Sequence, residues 1–377
     1  MTIKYLYIDD EDEVGTRPIV DALMGTNDEL SIELRRPEEF SKDLRAAADE
    51  KPDGLILDLR LDLVPGPGGQ VADYRAPSLA QEIRTRASGR ELVDLPIVLW
   101  STQVKMSQSF NRDGTGQDLF DLTYAKEDVG LRPVQVAREL IAVAEGYQTI
   151  ATILAETTSE NSRMRLALGL GPEPILDARI AERFSGKDAP VHEYARFLLQ
   201  EVVCHPGALL DELRLAALLG IDCAKSDDWP ALMTSLDGSR YSGVFSQSYF
   251  RWWRTAIDRW WSGLKGGKRA IRLLTARERV EVIMANLGLK GLTAADPIQV
   301  GYSDRFSTIC EGTLRPLDPA DGFRIRSKEP EPWQEQKYIS AYAALERIGY
   351  VGGLRVHPLE RDRYEELVAS VTRSVAS

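Results

Sequence analysis

Four short apolar runs in the first third of the chain each end in a polar side chain, and this pattern limits the fold more than any other feature. The runs cover residues 4–8, 54–57, 97–100 and 119–125, and the side chains that follow them are Asp9-Asp10, Asp58, Ser101-Thr102 and Lys126. Apolar runs that alternate with helical segments are typical of a parallel sheet flanked by helices. The carboxyl ends of parallel strands meet at one edge of the sheet, so we expect three carboxylates, a hydroxyl and an ammonium group to lie together.

The segments between these runs complete an alternating α/β pattern. Residues 31–34 predict one more strand, and helices are predicted over residues 17–24, 37–49, 78–86 and 133–155. Ser78 to Gln81 has the spacing of a capping box at the start of the third helix. Residues 62–77 contain Pro65-Gly66-Pro67-Gly68-Gly69, which excludes regular structure there. Further along, Thr275 and Glu278 have the same capping-box spacing.

The length of 377 residues predicts two or three domains. We divide the chain into residues 1–145, a helix and linker over 146–162, and a mostly helical part over 163–377. No apolar stretch approaches the roughly 20 residues that span a bilayer, and the N-terminus starts in a strand without a signal-peptide pattern. The three cysteines, Cys204, Cys223 and Cys310, are far apart, as expected in a reducing compartment. A cytoplasmic protein without a membrane segment is predicted.

The charge of the chain is unevenly distributed. Residues 1–145 hold 28 of the 58 acidic residues but only 17 of the 47 lysines and arginines, so the whole net charge of -11 lies there. An acidic domain of this kind is poorly suited to binding DNA. Residues 240–290 carry 11 basic and three acidic residues, with four tryptophans among the arginines. Helical spacing indicates that most of these rings, with Phe250, belong to the core, so nucleic acid is not the expected partner.

The predicted cluster of acidic groups has a definite chemistry. Three crowded carboxylates raise one another's pKa unless a cation neutralises them. Mg²⁺ prefers oxygen ligands and is held by carboxylates, water and phosphate oxygens. A carboxylate beside such a metal can attack a phosphoryl group, and a nearby lysine offsets the charge on the transferred oxygens. In the alternative, Asp9 and Asp10 cap the following helix, and Asp58 and Lys126 form a structural ion pair.

These residues resemble the receiver domains of two-component response regulators, over roughly residues 1–145. The resemblance implies a flavodoxin-like, doubly wound, five-stranded parallel sheet, followed here by a mixed, mostly α-helical domain. It also implies that Asp58 is the phospho-acceptor, with Ser101 and Lys126 as its catalytic partners. Mg²⁺ would be held by Asp9, Asp10, Asp58 and the main-chain carbonyl of Arg60.

The resemblance further places Arg60 and Gln103 at the positions that tune autodephosphorylation. Three departures are visible in the sequence. Glu127 follows the lysine where proline is usual, Thr123 stands where the switch aromatic is expected with Tyr124 one place away, and the loop after Asp58 is about a dozen residues longer. The readout of phosphorylation is therefore expected to differ from the usual one.

The C-terminal part has no recognisable motif. Cys204, His205, Cys223, Cys310 and His357 lack the spacing of a zinc site, and lone cysteines such as Cys310 are more often buried than paired with a base such as His357. The sequence therefore predicts a signalling protein that is phosphorylated by a histidine kinase and acts through contact with another protein or a second copy. A C-terminal enzyme gated by the receiver, and a scaffold or phosphate sink without an output, stay open as alternatives.

Overall fold

The described residues fall into two units. The protein is represented by a computed structural model that describes residues 2–65, 69, 71–108, 114–170, 177–184 and 189–376. The first unit comprises residues 1–201 and 242–249, and the second comprises residues 202–241 and 250–377. Within the described ranges, no helix combines the length and apolar character needed to cross a membrane. Part of the predicted proline- and glycine-rich loop, residues 66–68 and 70, lies outside the described residues.

A parallel sheet of five strands forms the centre of the first unit. Its strands are β1 (Ile3–Ile8), β2 (Leu30–Arg35), β3 (Gly54–Asp58), β4 (Ile97–Ser101) and β5 (Leu122–Ala125), in the order β2-β1-β3-β4-β5. Ile8 pairs with Leu57, and Leu57 pairs with Leu99 on the next strand. This register brings the carboxyl ends of β1, β3 and β4 to the same edge. The strand order is the flavodoxin-like, doubly wound order that the sequence predicts.

Helices cover both faces of this sheet. The helices of the first unit are α1 (Glu13–Met24), α2 (Phe40–Asp49), α3 (Ala76–Ser88), α4 (Gln103–Gln108), α5 (Lys126–Leu131), α6 (Pro133–Glu156), α7 (Glu160–Ala167), α8 (Ala178–Ala181) and α9 (Val191–Arg196). One apolar cluster joins α1, α5 and α6 to the face that carries Tyr5, Tyr7 and Trp100. The other joins α2 and α3 to the opposite face. Both faces are buried, which explains the continuous apolar runs of β3 and β4.

Several element boundaries differ from the prediction because other residues cap the helices. Helix α1 begins at Glu13, and its cap is Asp12, which accepts from the main-chain N–H of Gly15. Asp9 and Asp10 therefore do not cap this helix. Helix α3 begins at Ala76, so the predicted capping box at Ser78 is wrong. The fifth strand is shorter than predicted because residues 114–119 form a 3₁₀ helix before it.

Buried polar contacts attach elements beyond residue 145 to the sheet of the first unit. Arg84 of α3 lies 3.0 Å from Asp94 and 2.7 Å from Asp121. The main chain of His192 in α9 donates to Asp94 at 2.8 Å, and the His192 ring lies 2.6 Å from the same carboxylate. Tyr147 of α6 donates to Asp121 at 2.7 Å. The first unit thus continues through α9.

The second unit contains helices and short two-stranded sheets. Its elements are β6 (Leu209–Leu210), α10 (Glu212–Leu219), α11 (Trp229–Ser235), β7 (Trp252–Trp253), α12 (Arg254–Gly263), α13 (Ala276–Leu287), β8 (Thr308–Ile309), β9 (Pro316–Leu317), β10 (Gly322–Arg324), β11 (Tyr338–Ser340), α14 (Ala341–Leu345) and α15 (Arg361–Ala376). Antiparallel pairs join β6 to β7, β8 to β9 and β10 to β11. The predicted capping box of α13 is confirmed, with Thr275 and Glu278 bonded reciprocally.

The tryptophan-rich segment of the second unit is only partly helical. Trp252 and Trp253 lie in β7, before the start of α12, and both are buried. Trp261 of α12 is also buried, in agreement with the core interpretation. Phe250, by contrast, is 44% exposed, so its predicted place in the core is wrong. Residues 298–302 form turns and bends, and Val356 makes an isolated bridge with Ile325.

Candidate functional site

Three carboxylates meet at the carboxyl edge of the sheet. Asp9 and Asp10 follow β1, and Asp58 ends β3; one oxygen from each carboxylate lies within 4.8 Å of the others. All three residues are buried, with at most 2% of their surface exposed. In the described ranges, these aspartates are the one group of three or more His, Cys, Asp or Glu residues that could hold a metal ion. The parallel register of β1 and β3 is what brings them together.

Asp9 is held by three donors. Its Oδ2 accepts from the Tyr7 hydroxyl and from Lys126 Nζ, the latter at 2.7 Å. Its Oδ1 accepts from the main-chain N–H of Glu11 at 2.9 Å. Burial, together with the nearby Asp9 carboxylate, raises the pKa of Tyr7 well above its usual value, so this phenol stays a donor. These contacts fix the orientation of Asp9 within the cluster.

Asp10 connects the cluster to the long loop after β3. Its Oδ2 accepts from the main-chain N–H groups of Leu63 and Val64, each at 2.9 Å. Its Oδ1 is buried and has no hydrogen-bond partner. The same loop segment is held from outside, since Arg36 donates to the carbonyl of Pro65 at 2.9 Å. One oxygen of Asp10 is therefore used by the loop, and the other is left for a ligand.

Asp58 is fully buried and lies between two ammonium groups. Its Oδ2 accepts from the main-chain N–H of Arg60 at 3.0 Å and lies 3.4 Å from Lys105 Nζ. Its Oδ1 lies 3.4 Å from Lys126 Nζ and makes no hydrogen bond. Burial raises the pKa of Asp58, and Asp9 adds to the rise, although Lys126 and Lys105 oppose it. The Asp58 carboxylate is thus held between two ammonium groups, and its Oδ1 stays without a hydrogen bond.

Ser101 and Lys126 complete the same edge. Ser101 ends β4 and is fully buried, and its hydroxyl has no hydrogen-bond partner. Lys126 begins α5 directly after β5. Burial alone would lower the pKa of Lys126, but the carboxylates of Asp9 and Asp58 hold it above the usual value. Lys126 therefore stays charged, and an unpaired hydroxyl lies on the strand next to Asp58.

The donor set of this edge fits a divalent cation. Asp9, Glu11 and Asp58 contact the ammonium groups of Lys105 and Lys126, and Asp10 lies beside Asp9 and Asp58 without pairing with either lysine in the contacts described. Four carboxylates and two ammonium groups therefore lie at this edge. The unpartnered oxygens are Asp10 Oδ1 and Asp58 Oδ1, which are both buried. Hard oxygen ligands of this kind suit Mg²⁺. Asp9, Asp10 and Asp58 would hold the ion; the carbonyl of Arg60 stays a prediction.

Arg60 and Gln103, which the resemblance places at positions that tune autodephosphorylation, make contacts of their own. The Arg60 guanidinium pairs with Asp62, with Nε 2.6 Å from Oδ1, and Arg75 also reaches Asp62 at 3.2 Å. The main-chain N–H of Gln103 donates to the Glu127 carboxylate at 3.2 Å. Glu127, which stands where proline is usual, is therefore attached to the start of α4.

The switch position on β5 is occupied as the sequence indicated. Thr123 is exposed, whereas Tyr124 is buried on the opposite face of the strand. The Tyr124 hydroxyl donates to Glu139 of α6. Tyr124 packs in the apolar cluster that also holds Tyr7 and Trp100. An aromatic side chain is thus present on β5, but it faces α6.

Two residues of the cluster were not predicted. Glu11 lies 3.1 Å from Lys126, and Lys105 reaches both Asp58 and Glu11. Glu11 directly follows Asp10, so the run of three acidic residues after β1 could have indicated that Glu11 belongs to the site. Lys105 comes from the first turn of α4, and its reach back to Asp58 depends on where that helix starts.

Cys310 and His357 of the second unit make separate hydrogen bonds. Cys310 is buried, and its Sγ lies 3.3 Å from the hydroxyl of Ser340 and 3.2 Å from its main-chain N. His357 accepts from the main-chain N–H of Leu359 at 3.2 Å. Within the described part of the second unit, Cys310 and His357 are not hydrogen-bonded to each other. None of Cys204, Cys223 and Cys310 forms a disulfide.

Several solved structures are similar to the N-terminal part of the chain. No protein-family model matches the chain, and no curated protein matches it. The receiver domain of a sensor histidine kinase from Pseudomonas aeruginosa, solved with magnesium in its active-site cleft, is 15% identical with a TM-score of 0.26, and the match covers 37% of this chain and 98% of that one. The phosphorylated cyanobacterial phytochrome response regulator RcpA is 16% identical with a TM-score of 0.27, covering 37% and 95%.

A further match is the receiver domain of NtrX from Brucella abortus, which is 20% identical with a TM-score of 0.23, covering 35% of this chain and 98% of that one. Two of these three structures are receiver domains and the third is a response regulator, and the match lies in the N-terminal part of the chain, about 37% of its length. The strand order and register described above give the first unit a flavodoxin-like fold. The second unit is not identified.

Proposed function

We propose that the first unit is a Mg²⁺-dependent phospho-acceptor in two-component signalling, with Asp58 as the residue that is phosphorylated. One observation carries this proposal: Asp58 is fully buried at the edge of the sheet, with an unpartnered oxygen beside the carboxylates of Asp9 and Asp10. The alternative, a structural ion pair between Asp58 and Lys126, is less well supported, because Lys126 is bonded to Asp9 and lies farther from Asp58.

The chemistry follows from the groups present. An oxygen of Asp58 forms a bond to phosphorus while the bond from phosphorus to the donor breaks, and the donor leaves with the bonding electron pair. The donor is the phosphohistidine of a kinase or a small acyl phosphate. Bound Mg²⁺ would neutralise the cluster and offset charge on the transferred oxygens. Lys126 holds a positive charge at Asp58, and the unpaired Ser101 hydroxyl donates to the bound phosphoryl group.

We propose an output through protein contact. Phosphorylation would favour one arrangement of the Ser101 and Lys126 side chains and so one form of the receiver surface. That surface would act on the C-terminal unit, on a downstream protein or on a second copy of the chain. A histidine kinase is the proposed phosphoryl donor, and a reducing cytoplasm is the proposed location, in keeping with three cysteines that form no disulfide.

The test uses the full chain with a small acyl phosphate and Mg²⁺. Intact mass spectrometry should show the gain of one phosphoryl group in the wild type and none in Asp58→Asn. The matched control is Asp21→Asn, because Asp21 is an exposed residue of α1 and its carboxylate pairs only with Arg17 in the contacts described. This control should be labelled like the wild type.

Each other result has a definite meaning. Equal labelling of wild type and Asp58→Asn would show that another residue accepts the group. A wild type that takes up no phosphate with Mg²⁺ would contradict the proposed function and favour a scaffold that binds a kinase without being phosphorylated.

A further inference from the structure

Lys105 lies on α4 and contacts Asp58, the proposed phospho-acceptor. Among the residues to which the resemblance assigns a role, α4 carries Gln103. Its Nζ lies 3.4 Å from Asp58 Oδ2 and 3.8 Å from Glu11 Oε1. Its side chain is 24% exposed, whereas that of Lys126 is 8% exposed. Lys105 is therefore the more solvent-accessible of the two ammonium groups at Asp58.

The start of α4 fixes where the Lys105 side chain begins. The main-chain N–H of Lys105 donates to Thr102 Oγ1 at 3.4 Å, and the main-chain N–H of Met106 donates to the Thr102 carbonyl at 3.0 Å. Thr102 directly follows Ser101, the last residue of β4. A flexible four-carbon stem then carries the ammonium group to Asp58. The backbone is held while the charged end can move.

The two lysines face different oxygens of Asp58. Lys126 lies near Oδ1 and Lys105 near Oδ2, each at 3.4 Å. Whichever oxygen bonds to phosphorus, one ammonium group lies beside it. We propose that Lys105 is a second phosphoryl-binding ammonium group, which neutralises Asp58 before the metal binds and contacts the phosphoryl oxygens afterwards. This inference rests on the proposed function of Asp58.

The proposal has two consequences of opposite sign. In the unphosphorylated state, the positive charge of Lys105 repels a divalent cation at the adjacent carboxylates. During transfer, the oxygen of Asp58 bonds to phosphorus and the donor leaves with its electron pair, while the three phosphoryl oxygens carry negative charge. Lys105 stabilises that charge. Removing its charge should therefore strengthen Mg²⁺ binding and slow phosphorylation.

The experiment compares Lys105→Met and Lys105→Arg in the full chain. Calorimetric titration with Mg²⁺ alone should show about 10-fold tighter binding to Lys105→Met. At saturating Mg²⁺, phosphorylation by an acyl phosphate should be about 10-fold slower in that variant. Lys105→Arg keeps the charge and should stay near the wild type in both. Lys42→Met is the control, since Lys42 pairs with Glu38 on the exposed side of α2.

The results separate this inference from the proposed function. If the wild type and Lys42→Met are not phosphorylated, the proposed function fails and the role of Lys105 fails with it. If both are phosphorylated and Lys105→Met matches them in Mg²⁺ affinity and rate, only the inference is overturned. A variant that loses affinity and rate together would show that Lys105 merely supports the structure, which also overturns it.

Discussion

Lys126 is bonded to Asp9 more closely than to Asp58. Its Nζ lies 2.7 Å from Asp9 Oδ2 and 3.4 Å from Asp58 Oδ1. Both carboxylates are buried, so the lysine compensates a charge that solvent does not reach. Before a metal binds, Lys126 is therefore chiefly the counter-ion of a proposed metal ligand.

Mg²⁺ should stabilise a Lys126→Met variant more than it stabilises the wild type. Without metal, the variant leaves Asp9 buried without its cation, which costs roughly 3 kcal/mol of unfolding free energy. A bound cation would take over that neutralisation and recover part of the loss. Urea unfolding with and without Mg²⁺ measures both the loss of unfolding free energy in the variant and the part that Mg²⁺ recovers. Lys4→Met is the control, because Lys4 pairs with Glu33 on the surface; equal Mg²⁺ increments in all three proteins would contradict this account.

The long loop after β3 should loosen when Asp10 is removed. Asp10 accepts from the main-chain N–H groups of Leu63 and Val64, which gives it a role apart from metal binding. Asp10→Ala should therefore speed hydrogen exchange at these two amides by about 10-fold or more. Exchange read by NMR or on a peptide covering residues 61–65 checks it. Asp28→Ala, on the exposed turn before β2, should leave the exchange unchanged, and slow exchange in Asp10→Ala would show that other contacts hold the loop.

The residues that meet at the carboxyl edge of the sheet were predictable, because parallel pairing brings the ends of neighbouring strands together there. Once β1 and β3 pair in register, the residues after them must be neighbours, and Asp9, Asp10 and Asp58 follow from that. Ser101 follows in the same way from β4. The apolar runs also gave the positions of the strands, since each buried strand is continuous and the segments between them are helical. The flavodoxin-like strand order was implied by the resemblance to receiver domains.

Contacts that depend on helix starts and long side chains were not predictable. Lys105 reaches Asp58 only because α4 begins directly after Thr102, and helix starts are decided by local capping. For the same reason, the predicted start of α1 at residue 17 was wrong: the helix begins at Glu13, with Asp12 as its cap. In the second unit, short strands such as β7 form through pairing with distant residues, which no local pattern at Trp252 shows.

Asp94→Asn should destabilise the first unit in a pH-dependent way. Burial alone would raise the pKa of Asp94, but the hydrogen bond from His192 and the charge of Arg84 hold it below its usual value. Its stabilising contribution is therefore present above about pH 4 and is lost as the pH falls through the lower, folded-state pKa. We expect a loss of about 3 kcal/mol at pH 7.

Urea unfolding of wild type and variant between neutral and strongly acidic pH measures this difference, which should shrink below about pH 4. Glu91→Gln is the control, because Glu91 is an exposed residue of the same segment. A difference between Asp94→Asn and wild type that stays constant over the whole range would show that charge at Asp94 is not what stabilises the link between α3 and α9.

Arg279→Met should destabilise the second unit. Arg279 of α13 is fully buried, and its guanidinium donates to the carbonyls of Leu274, Leu218 and Phe306 at 3.0, 2.8 and 2.7 Å. Methionine fills much of the same space but leaves three acceptors unpaired, so we expect a loss of about 3 kcal/mol or more. Chemical unfolding followed by tryptophan fluorescence measures this loss, since Trp229 and Trp261 lie in the apolar cluster that also holds Leu218 and Leu274.

Two further variants separate the hydrogen bonds of Arg279 from its charge. Arg277→Met changes an exposed arginine two residues earlier on α13 and should cost little. Arg279→Lys keeps the charge, but one ammonium group cannot replace a guanidinium that reaches three carbonyls in different segments, so it should also be destabilised. If Arg279→Met unfolded like Arg277→Met, the second unit would be held by its apolar contacts alone, and the buried guanidinium would add nothing to its stability.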